Sequence, residues 1–392
     1  MQSDFGNSLF DAFAGRKVLV TGHTGFKGAW LCEWLLSLGA DVTGLALEPN
    51  TEPALFQQLD LASRMRHVVG DIRDLETVRR VIEESEPKFV FHLAAQPLVR
   101  LSYDIPVETY ATNVMGTVHV MEALREYASR RQAAGLKPVV AVMITTDKCY
   151  ENREWLHSYR EEDAMGGYDP YSSSKGAAEI AIGAYRRSYF HPASDRIPSV
   201  FLASVRAGNV IGGGDWALDR IVPDCIRSLR VGESIPVRNK VATRPWQHVL
   251  EPLSGYLSVA ATLFRMGCGE PAGWPGLSDI CSAFNFGPNL TSNRTVADLV
   301  CEILEHWPGD WVDKSDPHAV HEAKLLNLAT DKAFHVLGWK PAWDFSETIR
   351  RTVAWYRESL DCASPADFQT LTRSQIEAYA AAARESQIAW AR

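Results

Sequence analysis

The chain has little of what marks a disulfide-rich, metal-dependent, membrane or nucleic-acid-binding protein. Its 392 residues include seven cysteines, an odd number without CxxC or CxxxC spacing, so neither a disulfide framework nor a zinc site is read. The eleven histidines show no HExxH or other ligand spacing, and no metal is expected. No apolar run reaches membrane length, and the polar opening MQSDFGNS does not read as a targeting segment. Positive charge is in deficit: 40 Lys and Arg against 48 Asp and Glu leave a formal charge of −8. That argues against a nucleic-acid platform or an anionic-membrane binder. No internal repeat or low-complexity tract is found. What is present is a 46% hydrophobic composition, enough for a large core. The expectation is a soluble, cytoplasmic protein.

Short β-branched runs alternate with helix-like stretches. The run Arg16-Lys17-Val18-Leu19-Val20-Thr21 ends in Gly22, and an apolar-periodic helix follows over about Ala29–Leu38. Further strands are predicted at Asp41–Ala46, Met65–Val69, Lys88–Leu93, Pro138–Thr145 and Ser199–Val205, with helices over Leu75–Glu84, Val107–Tyr127 and Tyr171–Tyr189. Strands apolar almost throughout, each followed by a helix, predict a parallel sheet covered on both faces. The fold class is therefore α/β: a doubly wound, Rossmann-like parallel sheet over residues 1–205. After Val205 the rhythm breaks into a glycine-rich loop (Ala207–Asp215) and a mixed remainder. Residues 206–392 are read as a smaller C-terminal substrate-binding lobe, with a chain crossover between the two allowed for. About Leu371–Arg392 is alanine-rich and helix-prone.

The first strand runs into Gly22-His23-Thr24-Gly25-Phe26-Lys27-Gly28, spaced GxxGxxG. Glycines there permit a tight turn, let backbone N–H groups approach a pyrophosphate, and let the helix pack close to the strand. A glycine turn before a helix is common, but at the first strand–helix junction of a βαβ series it points to dinucleotide binding. Glu48, two residues beyond Ala46, is the nearest carboxylate for a ribose, and no arginine nearby would hold a 2′-phosphate, so NAD is favoured over NADP. Asp71 is read either as an adenine contact or as a helix cap.

Tyr171-Ser172-Ser173-Ser174-Lys175 is a YxxxK pair. On a helix, i and i+4 share a face, so phenol and ammonium can both address a cofactor. A phenol with a pKa near 10 is a poor base at neutral pH until a cation stabilises its phenolate. Alone the pair is a common solvated helix face. Here it opens the helix after the fifth strand, whose end carries Thr146-Asp147-Lys148. Open α/β sheets bind ligands beyond the carboxyl ends of their strands, which puts a hydroxyl, a carboxylate and an amine into the same crevice.

These residues resemble the extended short-chain dehydrogenase/reductase family, and within it the nucleotide-sugar 4,6-dehydratases. The resemblance covers about Arg16 to Tyr356 and also rests on His92-Leu93-Ala94-Ala95-Gln96, Thr112–Thr117, Val205–Val210, Arg244–Val249 and Asn285-Phe286-Gly287. The pair Asp147-Lys148, with His23 and Lys27 in the glycine turn, points to the branch acting on CDP-sugars. The family mechanism implies that Tyr171, helped by Lys175 and Thr146, takes the 4-hydroxyl proton while C4 is oxidised by NAD. Asp147 then protonates the departing C6 hydroxyl, water leaves across C5–C6, and the hydride returns to C6. Lys148 stands where many relatives carry Glu as the C5 base; whether it takes the proton or stabilises the enolate is open at this point. By resemblance, NAD, tightly held and recycled, would be contacted by Gly22, His23, Thr24, Gly25, Phe26, Lys27, Gly28, Glu48, Asp71, Ile72, Leu93, Ala94, Ala95, Asn113, Tyr171 and Lys175. Gln96, Asn209 and Arg244 would meet the substrate, an arginine fork suiting phosphate oxygens. Asn113 is the residue that distorts its helix in the family. The resemblance further implies a homodimer or higher homo-oligomer through the helices Val107–Tyr127 and Tyr171–Tyr189, and a place in deoxysugar synthesis such as that of lipopolysaccharide O-antigen.

A 4-epimerase or reductase on the same fold would need Tyr171, Lys175 and Thr146 but no acid at Asp147. A GDP-, dTDP- or UDP-hexose is the alternative substrate. A non-catalytic dinucleotide-binding scaffold would leave the whole set without a role. Elsewhere, His248 beside Trp246, the tryptophans at 274, 307, 311, 339 and 343, and Cys149 are read as packing.

Overall fold

The computed structural model describes residues 8–192, 199–267, 275–315 and 325–392; Trp274 lies outside them. Seven strands form one sheet: β1 (Lys17–Thr21), β2 (Asp41–Ala46), β3 (Arg66–Val69), β4 (Phe89–His92), β5 (Val139–Ile144), β6 (Val200–Ala207) and β7 (Ala283–Phe286). Their order is β7-β6-β5-β4-β1-β2-β3, and every neighbouring pair is parallel. The doubly wound sheet expected from the alternation is present. Side chains alternate faces along each strand. Val18, Val20, Phe89, Phe91, Val140, Val142, Phe201 and Ala203 enter one core, while Leu19, Val90, Val139, Ala141, Met143, Val200 and Leu202 enter the other. Both faces are therefore apolar because both are roofed by helices.

Helix α1 (Phe26–Ser37) roofs the first face, and almost its whole circumference is apolar and buried. Helix α2 (Leu75–Ser85) starts at Asp74, whose carboxylate accepts from the Glu76 N–H, and buries Val78, Val81 and Ile82 against the second face. Helices α3 (Thr117–Ala133) and α4 (Pro170–Ser188) share that face. Asp74 thus caps the helix, whereas Asp71 bonds the Arg73 side chain and N–H.

The helix expected over Val107–Tyr127 is not continuous. A short helix (Pro106–Tyr110) passes into a π-helical segment, Ala111–Gly116, before α3 begins. The Asn113 side chain, drawn to the Gln96 backbone and the Ser174 hydroxyl, occupies the widened turn.

Beyond β6 come α5 (Ile221–Arg230), α6 (Leu250–Gly267) and α7 (Pro365–Glu385). Residues 206–392 return a strand to the sheet edge, β7 beside β6, lay α6 over the first face and pack α7 against α1. The Ala207–Asp215 loop includes Val210–Ile211, which pairs with Gln247–His248. Glu33 of α1, fully buried, holds Arg64 and, from α7, Arg373. Phe10 stacks on Trp390 at 5.0 Å and meets Trp34 edge-on at 5.9 Å. His248 packs edge-on to Trp30 and Trp343, and burial lowers its pKa to about 3, in keeping with a packing role.

Candidate active site

The chain leaves β1 toward β2 and β3, then returns to place β4 on β1's other side, so the crevice at the carboxyl ends of β1 and β4 is the topological switch point. Gly22 sits there at φ +76°, and a Cβ on it would lie 2.6 Å from the Ala94 nitrogen. A Cβ on Gly28 would overlap the Gly22 carbonyl. Side chains are thus excluded from the turn itself. Helix α1 begins at Gly25 with no side-chain cap, so its first N–H groups are left for an anion. This cradle fits a dinucleotide pyrophosphate. Thr24 Oγ1 donates to the Leu47 carbonyl, fixing the turn against the end of β2, and Glu48 is exposed just beyond.

His23 is in the turn, but its ring leaves it. The ring covers Gly44 on β2, meets His67 Nδ1 through Nε2 at 2.7 Å and packs on Phe56. Burial first, and His67 second, hold its pKa at about 3, so it is neutral. Lys27 points the other way. Its Nζ lies over the Tyr256 ring, and burial, then Arg220 and Lys175, lower its pKa to about 7 while Asp147 opposes them.

The proton-handling groups converge. Thr146 caps a short 3-10 turn, Asp147–Cys149; its hydroxyl donates to Asp147 Oδ1 at 2.8 Å and lies beside the Tyr171 phenol. Asp147 is 2% exposed, and Gly208 leaves it room, since a Cβ there would lie 2.8 Å from Oδ2. Helix α4 brings Tyr171 and Lys175, both buried, onto one face. Asp169 accepts from the Ser172 N–H, and the Tyr171 N–H donates to Ser102 Oγ, which together seat the first turn. Burial pushes the phenol's pKa up; Thr146 and Arg220 pull it down, while Asp147 pushes it further up. Burial lowers Lys175 to about 8 against the opposing charge of Glu179. Cys149 is fully buried with its pKa driven well up by burial, so it is inert as a nucleophile.

Asp147, Lys148, Asn209, Arg244, Pro245 and Leu326 line one pocket. Four residues named from the sequence, drawn from three separated segments, are brought together there. Gln96 is not among them: its amide donates to Leu98 O and Thr109 Oγ1, and its oxygen accepts from the Leu98 N–H. Asn113 is likewise engaged with the backbone of Gln96 and with Ser174.

Sequence reasoning missed Arg220, one residue ahead of α5, which pairs with Asp215 at 3.0 Å and whose charge reaches both Tyr171 and Lys27. It also missed Glu179, one turn past Lys175. The signal for Glu179 was present: a carboxylate four residues beyond a YxxxK lysine, separated from it only by Gly176, Ala177 and Ala178.

A sequence profile described as GDP-mannose 4,6 dehydratase matches residues 19–262. A protein of Salmonella typhimurium strain LT2 named CDP-glucose 4,6-dehydratase is 50% identical over 345 residues, covering 88% of this chain and 91% of that one. Among solved structures, DesIV, a dTDP-glucose 4,6-dehydratase from Streptomyces venezuelae with NAD and TYD bound, superposes with a TM-score of 0.70 at 24% identity, covering 88% of this chain and 98% of that one. A UDP-glucose 4-epimerase from Thermotoga maritima, with UDP-glucose, gives 0.70 at 22% identity over 88% of this chain and 99% of that one. These likenesses in structure show the shared fold, and the matches in sequence show the kinship: the chain belongs to the GDP-mannose 4,6 dehydratase family.

Proposed function

We propose that this protein is an NAD-dependent CDP-glucose 4,6-dehydratase, converting CDP-D-glucose to CDP-4-dehydro-6-deoxy-D-glucose and water. The observation that carries this reading is the position of Asp147. It is buried, accepts from the Thr146 hydroxyl beside the Tyr171 phenol, and lines the pocket shared with Lys148, Asn209 and Arg244. A 4-epimerase has no use for an acid there. The relative at 50% identity carries the same activity in its name.

The turn of Gly22, Gly25 and Gly28, with the uncapped start of α1, would hold NAD, which would supply the oxidation of C4 and the hydride for C6. Tyr171 takes the 4-hydroxyl proton, its phenolate favoured by the Lys175 charge and the Thr146 hydroxyl. The C4 carbonyl acidifies C5–H, and Lys148 takes that proton or holds the charge of the enolate. Asp147 gives its proton to the leaving C6 hydroxyl, which departs as water. The proton that Tyr171 took from the 4-hydroxyl passes to Asp147 for this transfer, and a proton restored at C5 leaves every group in the state in which it began. Asn209 and Arg244 hold the diphosphate, so residues 206–392 supply the substrate side and residues 1–205 the cofactor side. Glu48 takes the adenosine ribose.

We further assign a homodimer formed through α4 and the Pro106–Ala133 region, where Val107, Met115 and Ile180 present apolar side chains to solvent. Ile180→Asp should then yield a monomer in light scattering. Among the described residues no helix is long and apolar enough to cross a membrane, and we place the enzyme in the cytoplasm, where its product would feed deoxysugar synthesis, including that of O-antigen. The test of substrate is incubation with CDP-, dTDP-, GDP- and UDP-hexoses. A 4-keto-6-deoxy product from CDP-glucose alone supports the reading; CDP-galactose, or turnover confined to another nucleotide, overturns it.

A further inference from the structure

The two halves of the proton-handling machinery stand on different elements: Thr146 and Asp147 follow β5, while Tyr171 and Lys175 ride on α4. One buried carboxylate joins them. Glu179, one helical turn beyond Lys175, accepts from Thr145 Oγ1 through Oε1, and from Ser204 Oγ (3.0 Å) and Arg206 (2.8 Å) through Oε2. Thr145 is the residue immediately before Thr146, and Ser204 and Arg206 belong to β6. Pairing Arg206 alone would need only one oxygen. The second is spent on the strand end next to the reacting groups. Arg206 carries the link outward, donating to the Tyr150 hydroxyl at 2.6 Å and the Glu161 carbonyl at 2.9 Å, and Tyr150 donates to Asn285 on β7.

We propose that Glu179 is a positioning residue of the oxidation step, its carboxylate standing one helical turn from Lys175 and locking the α4 face to the strand end that bears Thr146 and Asp147. The inference rests on the reading of Tyr171 and Lys175 given above. Glu179 touches neither substrate nor cofactor in this scheme. It acts through Lys175 by charge and through Thr145 by a hydrogen bond. The groups facing Lys175 are Glu179 and Cys149, with the charge of Lys175 also felt by His92 of β4 and Lys27 of α1. Those facing Glu179 are Arg206, Thr145 and Arg186. Glu179 is the principal group raising the affinity of Lys175 for its proton against burial, and the neighbouring cation Lys27 offers no such help.

The experiment uses the full chain loaded with NAD and mixed rapidly with CDP-D-glucose, following reduced-nicotinamide absorbance from pH 6 to 10. For Glu179→Gln, which keeps shape and loses charge, the alkaline fall of the reduction rate should move about one pH unit toward neutrality, with a rate about fivefold lower at pH 8. Glu179→Asp, which keeps the charge, should retain the parent's alkaline limb. A purely structural carboxylate predicts the reverse ranking and an unmoved limb, so a Glu179→Gln profile superimposing on the parent overturns the proposal. Should that variant fail to fold, Thr145→Val tests the hydrogen-bonded tie: reduction about fivefold to tenfold slower on an unshifted limb supports it, and a parental rate overturns it. If the parent forms no reduced nicotinamide with CDP-glucose, the functional reading falls too; if it does and the variants match it, only this inference falls.

Discussion

Replacing Asp147 by Asn separates the two chemical halves of the reaction. Asn is nearly isosteric, and its Oδ1 can still accept from Thr146, so the 2.8 Å bond that seats the side chain survives. What is lost is a group that can take up a proton and hand it to the leaving hydroxyl. General acid catalysis contributes about 100- to 10,000-fold, which is roughly 3–5 kcal/mol on the barrier for losing the C6 hydroxyl. The oxidation step should not share that loss. The Asp147 charge pushes the Tyr171 phenol toward its protonated form, and removing the charge makes the phenolate easier to form. Mixed with CDP-glucose, Asp147→Asn should therefore build up reduced-nicotinamide absorbance at least as fast as the parent and then hold it. The alkaline absorbance of the 4-keto-6-deoxy product should appear about 100- to 10,000-fold more slowly. Product formation at the parental rate would refute the assignment of Asp147, and equal slowing of both signals would place Asp147 in the oxidation step instead.

Tyr171→Phe removes the base and should slow cofactor reduction by about 100- to 10,000-fold while CDP-glucose still binds, as calorimetry would show. Arg244→Ala, losing a charge-assisted contact to phosphate worth about 1.5–3 kcal/mol, should raise KM by roughly 10- to 100-fold with kcat little changed, checked by initial-rate kinetics. Lys148→Met should abolish deuterium uptake at C5 from heavy water if Lys148 is the base, and leave it measurable if Lys148 only holds the enolate, as NMR would report. Glu251, buried at the start of α6, accepts from the Ala342 and Trp343 N–H groups and from the Tyr379 hydroxyl, and burial raises its pKa to about 7. A carboxyl whose folded pKa lies above its unfolded value favours the fold fully below about pH 4.5 and loses that contribution as pH rises through 7, here about 3 kcal/mol. Denaturant midpoints of the parent and Glu251→Gln should therefore diverge by that order between pH 4.5 and 8, the parent losing ground; parallel curves would refute it.

The sheet was legible because buried parallel strands announce themselves as apolar runs: Asp41–Ala46 carries its bounds in its own composition, and β4 and β5 shift only at their ends. The glycine turn and Tyr171–Lys175 were legible because their chemistry is local, a few residues apart. The break in the helix beginning near Val107 was not readable from periodicity, since it comes from Asn113 reaching the backbone of Gln96, seventeen residues back. Gln96 looked available for a sugar only because the sequence does not display Leu98 and Thr109 folding around its amide. His23 shows the same limit: the Gly44 gap and His67 that receive its ring lie on other strands. Arg220 and Glu179 gain meaning from what α5 and α4 place opposite them, information carried by the tertiary contacts alone.

The clasp between Glu33, Arg64 and Arg373, together with the Phe10–Trp34–Trp390 aromatic stack, has a bearing on how the chain matures at the ribosome. The helix that opens the nucleotide cradle is among the first structures made, yet its buried carboxylate and one of its indoles wait for partners more than 330 residues downstream. Until those arrive, α1 carries an acid matched by Arg64 alone and an uncovered aromatic flank, so the nascent chain should take up its nucleotide only once synthesis is nearly complete.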